Sequence, residues 1–154
     1  GNIFRTVFFP QTLEACRFLD AISCLPDYLT KSGDANGAYC QSYLEPDEDG
    51  IVTWVTLPEH RWPKHWKGKY INPVVRLVLA LYGHPKSGRT WEEDYTKRVI
   101  DCGKHGGKWE LMSDSWPNVF WKPEIKAFML VYVDDFKMSG PLVHMPKVWG
   151  HDQG

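Results

Sequence analysis

The chain has 154 residues, 43% hydrophobic and 24% charged, with a formal net charge of −1. That length suits one domain with a self-sufficient core, and that balance excludes a disordered tail and a fibrous repeat. Affinity for a phosphate backbone rests on cationic side chains, so any nucleic-acid surface must come from uneven charge distribution or from a longer protein.

In chain order, Thr12 to Leu25 predicts a helix. Leu13, Cys16, Leu19, Ile22 and Leu25 recur mostly at threes, and Thr12 suits the N-cap. Pro26 and Asp27 end it, and Tyr28 to Asp34 reads as a short strand. Asn36-Gly37 is a turn pair just past Asp34, and Ala38 to Leu44 suits a short helix. After an acidic loop, Val52 to Leu57 is β-rich and stops at Pro58. Val74 to Leu81 is apolar enough for a strand or a buried helix, and periodicity does not separate the two. Thr90 to Cys102 has the strongest helix pattern. Ser87 or Gly88 opens it, Trp91, Tyr95, Val99 and Cys102 form one face, Glu92 and Glu93 fall in the first turn, and Gly103 suits the C′ position. Strands follow at Trp109–Met112, Val119–Lys122, Ala127–Val133 and Phe136–Met138. The last two flank Asp134-Asp135, which reads as a hairpin with an acid pair at its tip. Strands and helices intermix without strict alternation, which favours α+β.

Four cysteines, Cys16, Cys24, Cys40 and Cys102, show no CxxC spacing, so they read as reduced thiols of an intracellular protein rather than zinc ligands. No apolar run is long enough to span a bilayer. The first residue is Gly1 rather than Met, which reads as an excised or processed piece. Aromatic residues reach 14%, including eight Trp, and most of these suit core packing. Arg61-Trp-Pro-Lys64-His-Trp66-Lys67-Gly-Lys69-Tyr70 interleaves cations with rings. Cations there can meet phosphates while rings stack on bases, or the tryptophans can fold inward under a surface loop.

Adjacent carboxylates at the end of a buried strand repel each other and lose hydration, and a hard divalent cation relieves both costs. Asp134-Asp135 fits that description, and Asp34, at another strand end, offers a third oxygen ligand. On its own, an Asp pair in a turn is commonplace. The surrounding residues add more. Tyr132-Val133-Asp134-Asp135 resembles the YxDD box of reverse transcriptases, and Asp34-Ala-Asn-Gly-Ala38-Tyr39 resembles the box carrying their first catalytic acid. Leu79-Ala-Leu-Tyr-Gly83 with Arg89-Thr-Trp91 resembles a segment of copia-type retrotransposon enzymes, and Trp54 to Pro58 resembles a strand of theirs ending at proline. The segments keep the family's order from about Leu25 to Pro141.

The resemblance implies a palm-like antiparallel sheet backed by helices, in one partial reverse transcriptase domain spanning 1–154. It implies RNA-directed DNA polymerisation by two Mg²⁺ ions, or Mn²⁺ in their place, on Asp34, Asp134 and Asp135. Nucleotide contacts would fall to Ala38, Tyr39 and Lys86, where Tyr39 would lie under the sugar and Lys86 stands where the family usually has Gln. Arg61, Lys64, Trp66, Lys67 and Arg89 would meet the nucleic acid. The implied partners are an RNA or DNA template with primer, a dNTP and the rest of a Pol polyprotein. The implied place is the cytoplasm, in a virus-like particle, or the nucleus. The family's basic fingers residues would precede this stretch, and its thumb and RNase H would follow. Two other readings compete: an inactive retroelement remnant with weak nucleic-acid binding, and an NTPase. For the latter, Gly83-His-Pro-Lys-Ser-Gly88-Arg89-Thr90 nearly spells a phosphate-binding loop, with Arg89 in place of the lysine.

Overall fold

The computed structural model describes residues 13–46, 48–102, 108–113 and 115–149. Its elements, in order, are α1 (Leu13–Ser23), β1 (Tyr28–Asp34), β2 (Trp54–Thr56), β3 (Val74–Arg76), α2 (Ser87–Asp101), β4 (Glu110–Ser113), β5 (Trp116–Lys122), β6 (Ala127–Tyr132), β7 (Asp135–Pro141) and α3 (Met145–Val148). Five strands form one antiparallel sheet in the order β1-β7-β6-β5-β4, while β2 and β3 pair separately. The class is α+β.

Side-chain alternation along β6 divides the interior in two. Ala127, Met129 and Val131 face one way, into a cluster with Trp91, Tyr95 and Val99 of α2, Phe120 and Met138 of the sheet, and Met145 of α3. Leu130 faces the other way, with Val119, onto Ala15 and Leu19 of α1, and Phe128 and Phe18 pack beside them. The sheet is thus the middle of three layers, with α2 and α3 on one face and α1 on the other. Polar side chains in the α1 layer find partners. The Ser139 hydroxyl lies 2.6 Å from that of Thr30 and donates to the Leu19 carbonyl at 3.0 Å. Lys137 reaches Asp20 and Cys16 of α1.

Two glycines permit close packing. A Cβ on Gly33 would lie 2.9 Å from the Trp149 ring, and one on Gly140 would lie 2.9 Å from the Ala127 Cβ. Gly33 thus lets the segment after α3 close over the end of β1, one residue before Asp34.

Several boundaries differ from the sequence pattern. The α1 face that packs is Ala15 and Leu19, whereas Leu13 and Leu25 are exposed. The stretch from Ala38 yields only a 3-10 turn, Ala38–Gln41. Of Val52 to Leu57, only Trp54–Thr56 is strand, and of Val74 to Leu81 only Val74–Arg76. Beyond Arg76 the chain turns to the segment after β1, where Leu79 bridges Tyr43 and Leu44 N–H donates to the Val78 carbonyl at 2.8 Å. Helix α2 starts at Ser87, one of the two expected openers and ahead of the periodic stretch from Thr90, and Ser87 closes the preceding turn by exchanging hydrogen bonds with the Leu81 backbone. Glu92 and Glu93 therefore lie beyond its first turn. Cys102 sits past the helix end and is exposed rather than part of its buried face. Strand β5 begins at Trp116 and admits Pro117 near the register shift of its β4 pairing. Thr12 and Gly103, the expected helix-ending residues, lie outside the described residues.

All four cysteines are unpaired thiols. Among the described residues, no helix is long and apolar enough to cross a membrane. Leu19 is fully buried and Leu13 is 59% exposed. Urea denaturation of Leu19→Ala should therefore show a loss of about 2–5 kcal/mol, against roughly 0.5 kcal/mol or less for Leu13→Ala.

Candidate functional site

The β6–β7 hairpin closes through two residues, Val133 and Asp134, because Tyr132 pairs directly with Asp135. A two-residue connection needs positive φ at its first central position to follow the strand twist. Here that position is Val133, at φ 55°. A β-branched residue is strained there, at a cost of about 1–3 kcal/mol. Two hydrogen bonds hold the turn in place. The Trp91 indole N–H donates to the Val133 carbonyl. The Ala35 N–H donates to the Asp134 carbonyl at 2.7 Å. Helix α2 and the end of β1 thus grip the turn from two sides.

The second of these bonds extends the β1–β7 ladder, in which Asp34 lies directly opposite Asp135. Asp34, distant in the chain, is therefore brought to the same end of the sheet as the adjacent pair Asp134-Asp135. Asp34 and Asp135 are exposed and Asp134 is half-buried. Like charges opposite each other weaken a strand pair, so this register carries an electrostatic cost. Among the described residues, no group of three or more His, Cys, Asp or Glu side chains is placed so that it could hold a metal ion. What the fold supplies is backbone placement: the acids share one corner, with carboxylate oxygens as the donor type that suits Mg²⁺.

Tyr39 stands beside this corner. It lies on the 3-10 turn Ala38–Gln41, which starts from Gly37 at φ 63°, and Ala38 beneath it is fully buried. The turn is pinned to α2. Ser42 donates to the Asp94 carboxylate at 2.7 Å, and Arg98 bonds both Asp94, at 2.7 Å, and the Gln41 carbonyl, at 3.1 Å. Burial pushes the Asp94 carboxyl up, but the bonds from Arg98 and Ser42 outweigh it and hold the group below its ordinary range. The Tyr39 ring packs on Tyr82, with centroids 4.6 Å apart. Burial raises the Tyr39 hydroxyl above the ordinary tyrosine value, with Tyr82 and then Asp134 adding to it. Tyr82 is raised as well, by desolvation and then by Asp134, with Asp34 contributing less. Tyr82 and the Trp91 indole donor were missed as site residues by sequence reasoning. Both lie within the Leu79–Gly83 and Arg89–Trp91 segments, so the signal was present as a pattern without a role.

Other expected contacts are placed less centrally. Lys86 is exposed at the N-terminus of α2, and its N–H donates to His84 Nδ1 at 3.3 Å. Arg89 pairs with Glu93 at 2.8 Å, an exposed pair of small net value. The Arg61–Tyr70 stretch forms two 3-10 turns of its own, Glu59–Arg61 and Lys64–Trp66. Its tryptophans are half-buried. Trp62 donates to the Leu57 carbonyl and Trp66 packs edge-to-face on Tyr70, while Arg61, Lys64 and Lys67 are exposed. The rings thus turn partly inward and the cations outward.

The loop 83–90 does not form a phosphate cradle. Such a cradle needs a row of N–H groups aimed at the ligand. Here those of His84, Lys86 and Ser87 are spent on the Leu81 carbonyl, His84 Nδ1 and the His84 carbonyl. The Ser87 hydroxyl is bonded to Leu81, and the nearest preceding strand, β3, pairs antiparallel with β2.

Compared with known proteins, the chain matches no family model, no curated protein and no solved structure.

The proximity of Asp134 to both tyrosines is directly measurable. In an ultraviolet titration, Asp134→Asn should lower the ionisation pH of Tyr39 and Tyr82, each assigned with its Tyr→Phe variant. Independently, Trp91→Phe should lose about 1–3 kcal/mol in urea denaturation, because the Val133 carbonyl loses its buried donor.

Proposed function

We propose that the chain is the palm-bearing core of a reverse transcriptase of the copia type, with Asp34, Asp134 and Asp135 as the ligands of two divalent ions. One observation carries this reading. The strand ending in Asp34 and the hairpin bearing Asp134-Asp135, read from sequence as two separate acidic boxes, are neighbours in the sheet, with Asp34 opposite Asp135. A five-stranded antiparallel sheet with helices on its faces is compatible with a palm.

The donor type, carboxylate oxygen, suits Mg²⁺, a hard cation that keeps room for water and phosphate, while the three side chains as placed do not converge on one ion. When bound, the ions would supply charge neutralisation at the attacking 3′-hydroxyl and at the leaving pyrophosphate. The chain's own residues do the positioning. The strained, doubly gripped turn fixes Asp134, and the β1–β7 register fixes Asp34 against Asp135. The ring of Tyr39, backed by Tyr82 and seated on buried Ala38, gives the sugar of a dNTP a flat wall that excludes a 2′-hydroxyl. The exposed cations Arg61, Lys64 and Lys67, together with Lys86 and Arg89, supply the phosphate contacts with template, primer and nucleotide, and half-buried Trp66 stacks beside them. The primer 3′-hydroxyl would lose its proton to solvent, its oxygen would bond to the α-phosphorus, and the bond to pyrophosphate would break.

Primer extension on an RNA or DNA template tests the reading. Wild type should extend in Mg²⁺, whereas Asp134→Asn should fall by at least about 10²-fold, with unchanged circular dichroism. Equal extension by wild type and variant would remove the catalytic claim. Nucleic-acid binding without any Mg²⁺-dependent extension would favour the inactive remnant.

A further inference from the structure

The two faces of the β2–β3 ribbon differ. Register pairs Trp54 with Arg76, Val55 with Val75 and Thr56 with Val74. The Leu77 N–H extends the ladder by donating to the Thr53 carbonyl at 2.8 Å. Side chains alternate across a strand, so Thr53, Val55, Val75 and Leu77 share one face. That face is half-buried, and the Thr53 hydroxyl meets His84 Nε2 at 3.0 Å. The opposite face carries Trp54, Thr56, Val74 and Arg76, all exposed. Trp54 is 57% exposed and Val74 51%. An indole left this open on a paired strand, beside a second apolar side chain, is surface suited to a partner.

The same unit concentrates positive charge. From Ile51 to Leu79 stand five cations, Arg61, Lys64, Lys67, Lys69 and Arg76, against one acid, Glu59. The segment is therefore formally +4 in a chain of net −1, which leaves −5 on the remainder. All five cations are exposed. Four lie in the connection from β2 to β3, and Arg76 lies on the ribbon, directly opposite Trp54. Along the connection, cations alternate with rings: Arg61 with Trp62, Lys64 with Trp66, and Lys69 with Tyr70. A single-stranded nucleic acid alternates in the same way, with a phosphate and a flat, unpaired base in every nucleotide. An element that lies on a membrane instead gathers its rings on one side and its cations on the other. A second copy of this face would oppose like charge to like.

We infer that the outer face of the β2–β3 ribbon binds single-stranded nucleic acid, with one base stacked on Trp54, a phosphate at Arg76, and the cations of the connection following the backbone. The ribbon face adds a stacking platform to the loop cations named above, and it needs neither the acid corner nor a divalent ion. Trp54 selects unpaired strands, because a duplex keeps its base faces inside its own stack.

Fluorescence anisotropy of a labelled oligothymidylate of about 12 nucleotides, titrated with the full chain in a chelator at low salt, tests this. Wild type should bind with a dissociation constant on the order of 10 μM. Trp54→Ala should weaken this about tenfold and Trp54→Phe should restore most of it, while binding of a duplex of the same length stays within about twofold of wild type in both variants. Arg76→Gln should lower the slope of log affinity against log salt by about 0.7, the share of one phosphate on a single strand. Arg17→Gln, which removes an exposed cation from α1, should change neither affinity nor slope. The inference is overturned if wild type does not bind the oligonucleotide, if Trp54→Ala binds it as tightly as wild type, or if Trp54→Ala weakens single strand and duplex alike. Sedimentation with phosphatidylserine vesicles, or Trp54-dependent self-association, in the absence of oligonucleotide binding also overturns it, by giving the face to a membrane or to a second copy. Because the chelator removes divalent ions, binding here without primer extension in Mg²⁺ keeps the inference and removes only the polymerase reading; extension without this binding does the reverse.

Discussion

The arrangement at the acid corner depends on one backbone constraint: Val133 must stay at positive φ so that β6 can reverse into β7 in two residues. Nothing in a valine favours that conformation. The Trp91 indole and the Ala35 amide supply the restraint, one from α2 and one from β1. Each such bond contributes about 0.5–1.5 kcal/mol net, so together they are of the same order as the strain they hold. If the turn relaxed, Asp134 would leave the end of the β1 ladder, and the register opposing Asp34 to Asp135 would lose its anchor.

The three-layer architecture serves this constraint. Trp91 can reach the turn because α2 is fixed on the sheet through Tyr95 and Val99, and Tyr95 also donates to Asn118 at 3.0 Å. On the same helix, Asp94 and Arg98 hold the turn bearing Tyr39. One helix therefore sets both the acid-bearing hairpin and the aromatic wall beside it. On the opposite face, α1 buries Leu19 and engages Ser139 and Lys137 of β7. Strand β7 is thus held from the α1 side as well as by its two neighbours in the sheet. The backbone that carries the acids is held from several sides, while Asp34 and Asp135 are exposed and Asp134 is half-buried.

Much of this was legible in the sequence because the signals are local. Strand β1 was delimited by Asp27 before it and the Asn36-Gly37 turn after it. The hairpin was marked by apolar runs on both sides of Asp134-Asp135. Helix α2 was marked by Trp91, Tyr95 and Val99. Less was legible where tertiary contacts decide. Ser87 was one of two candidate openers of α2, and its bonds to the Leu81 backbone, which no periodicity encodes, decide between them. Val74 to Leu81 looked uniform, yet only its first three residues pair with β2, while Val78 to Ala80 answer to Ser42, Tyr43 and Leu44. The candidate acids were found from their type and neighbours, but the opposition of Asp34 to Asp135 is a fact of register, and register is set by packing. The partners of Tyr39 and Val133, Tyr82 and the Trp91 indole, lie far along the chain and emerge only once α2 is laid on the sheet.

The most direct test of the central claim is a Mn²⁺ titration followed by amide NMR, because a paramagnetic ion broadens signals only near where it binds. If the fold presents the three acids as a cation site, substoichiometric Mn²⁺ should first erase the amide signals of residues 33–36 and 132–136, and Mg²⁺ in excess should restore them. Broadening that is absent at this corner, or equal at the exposed acids Glu45, Glu48 and Asp49, would contradict it.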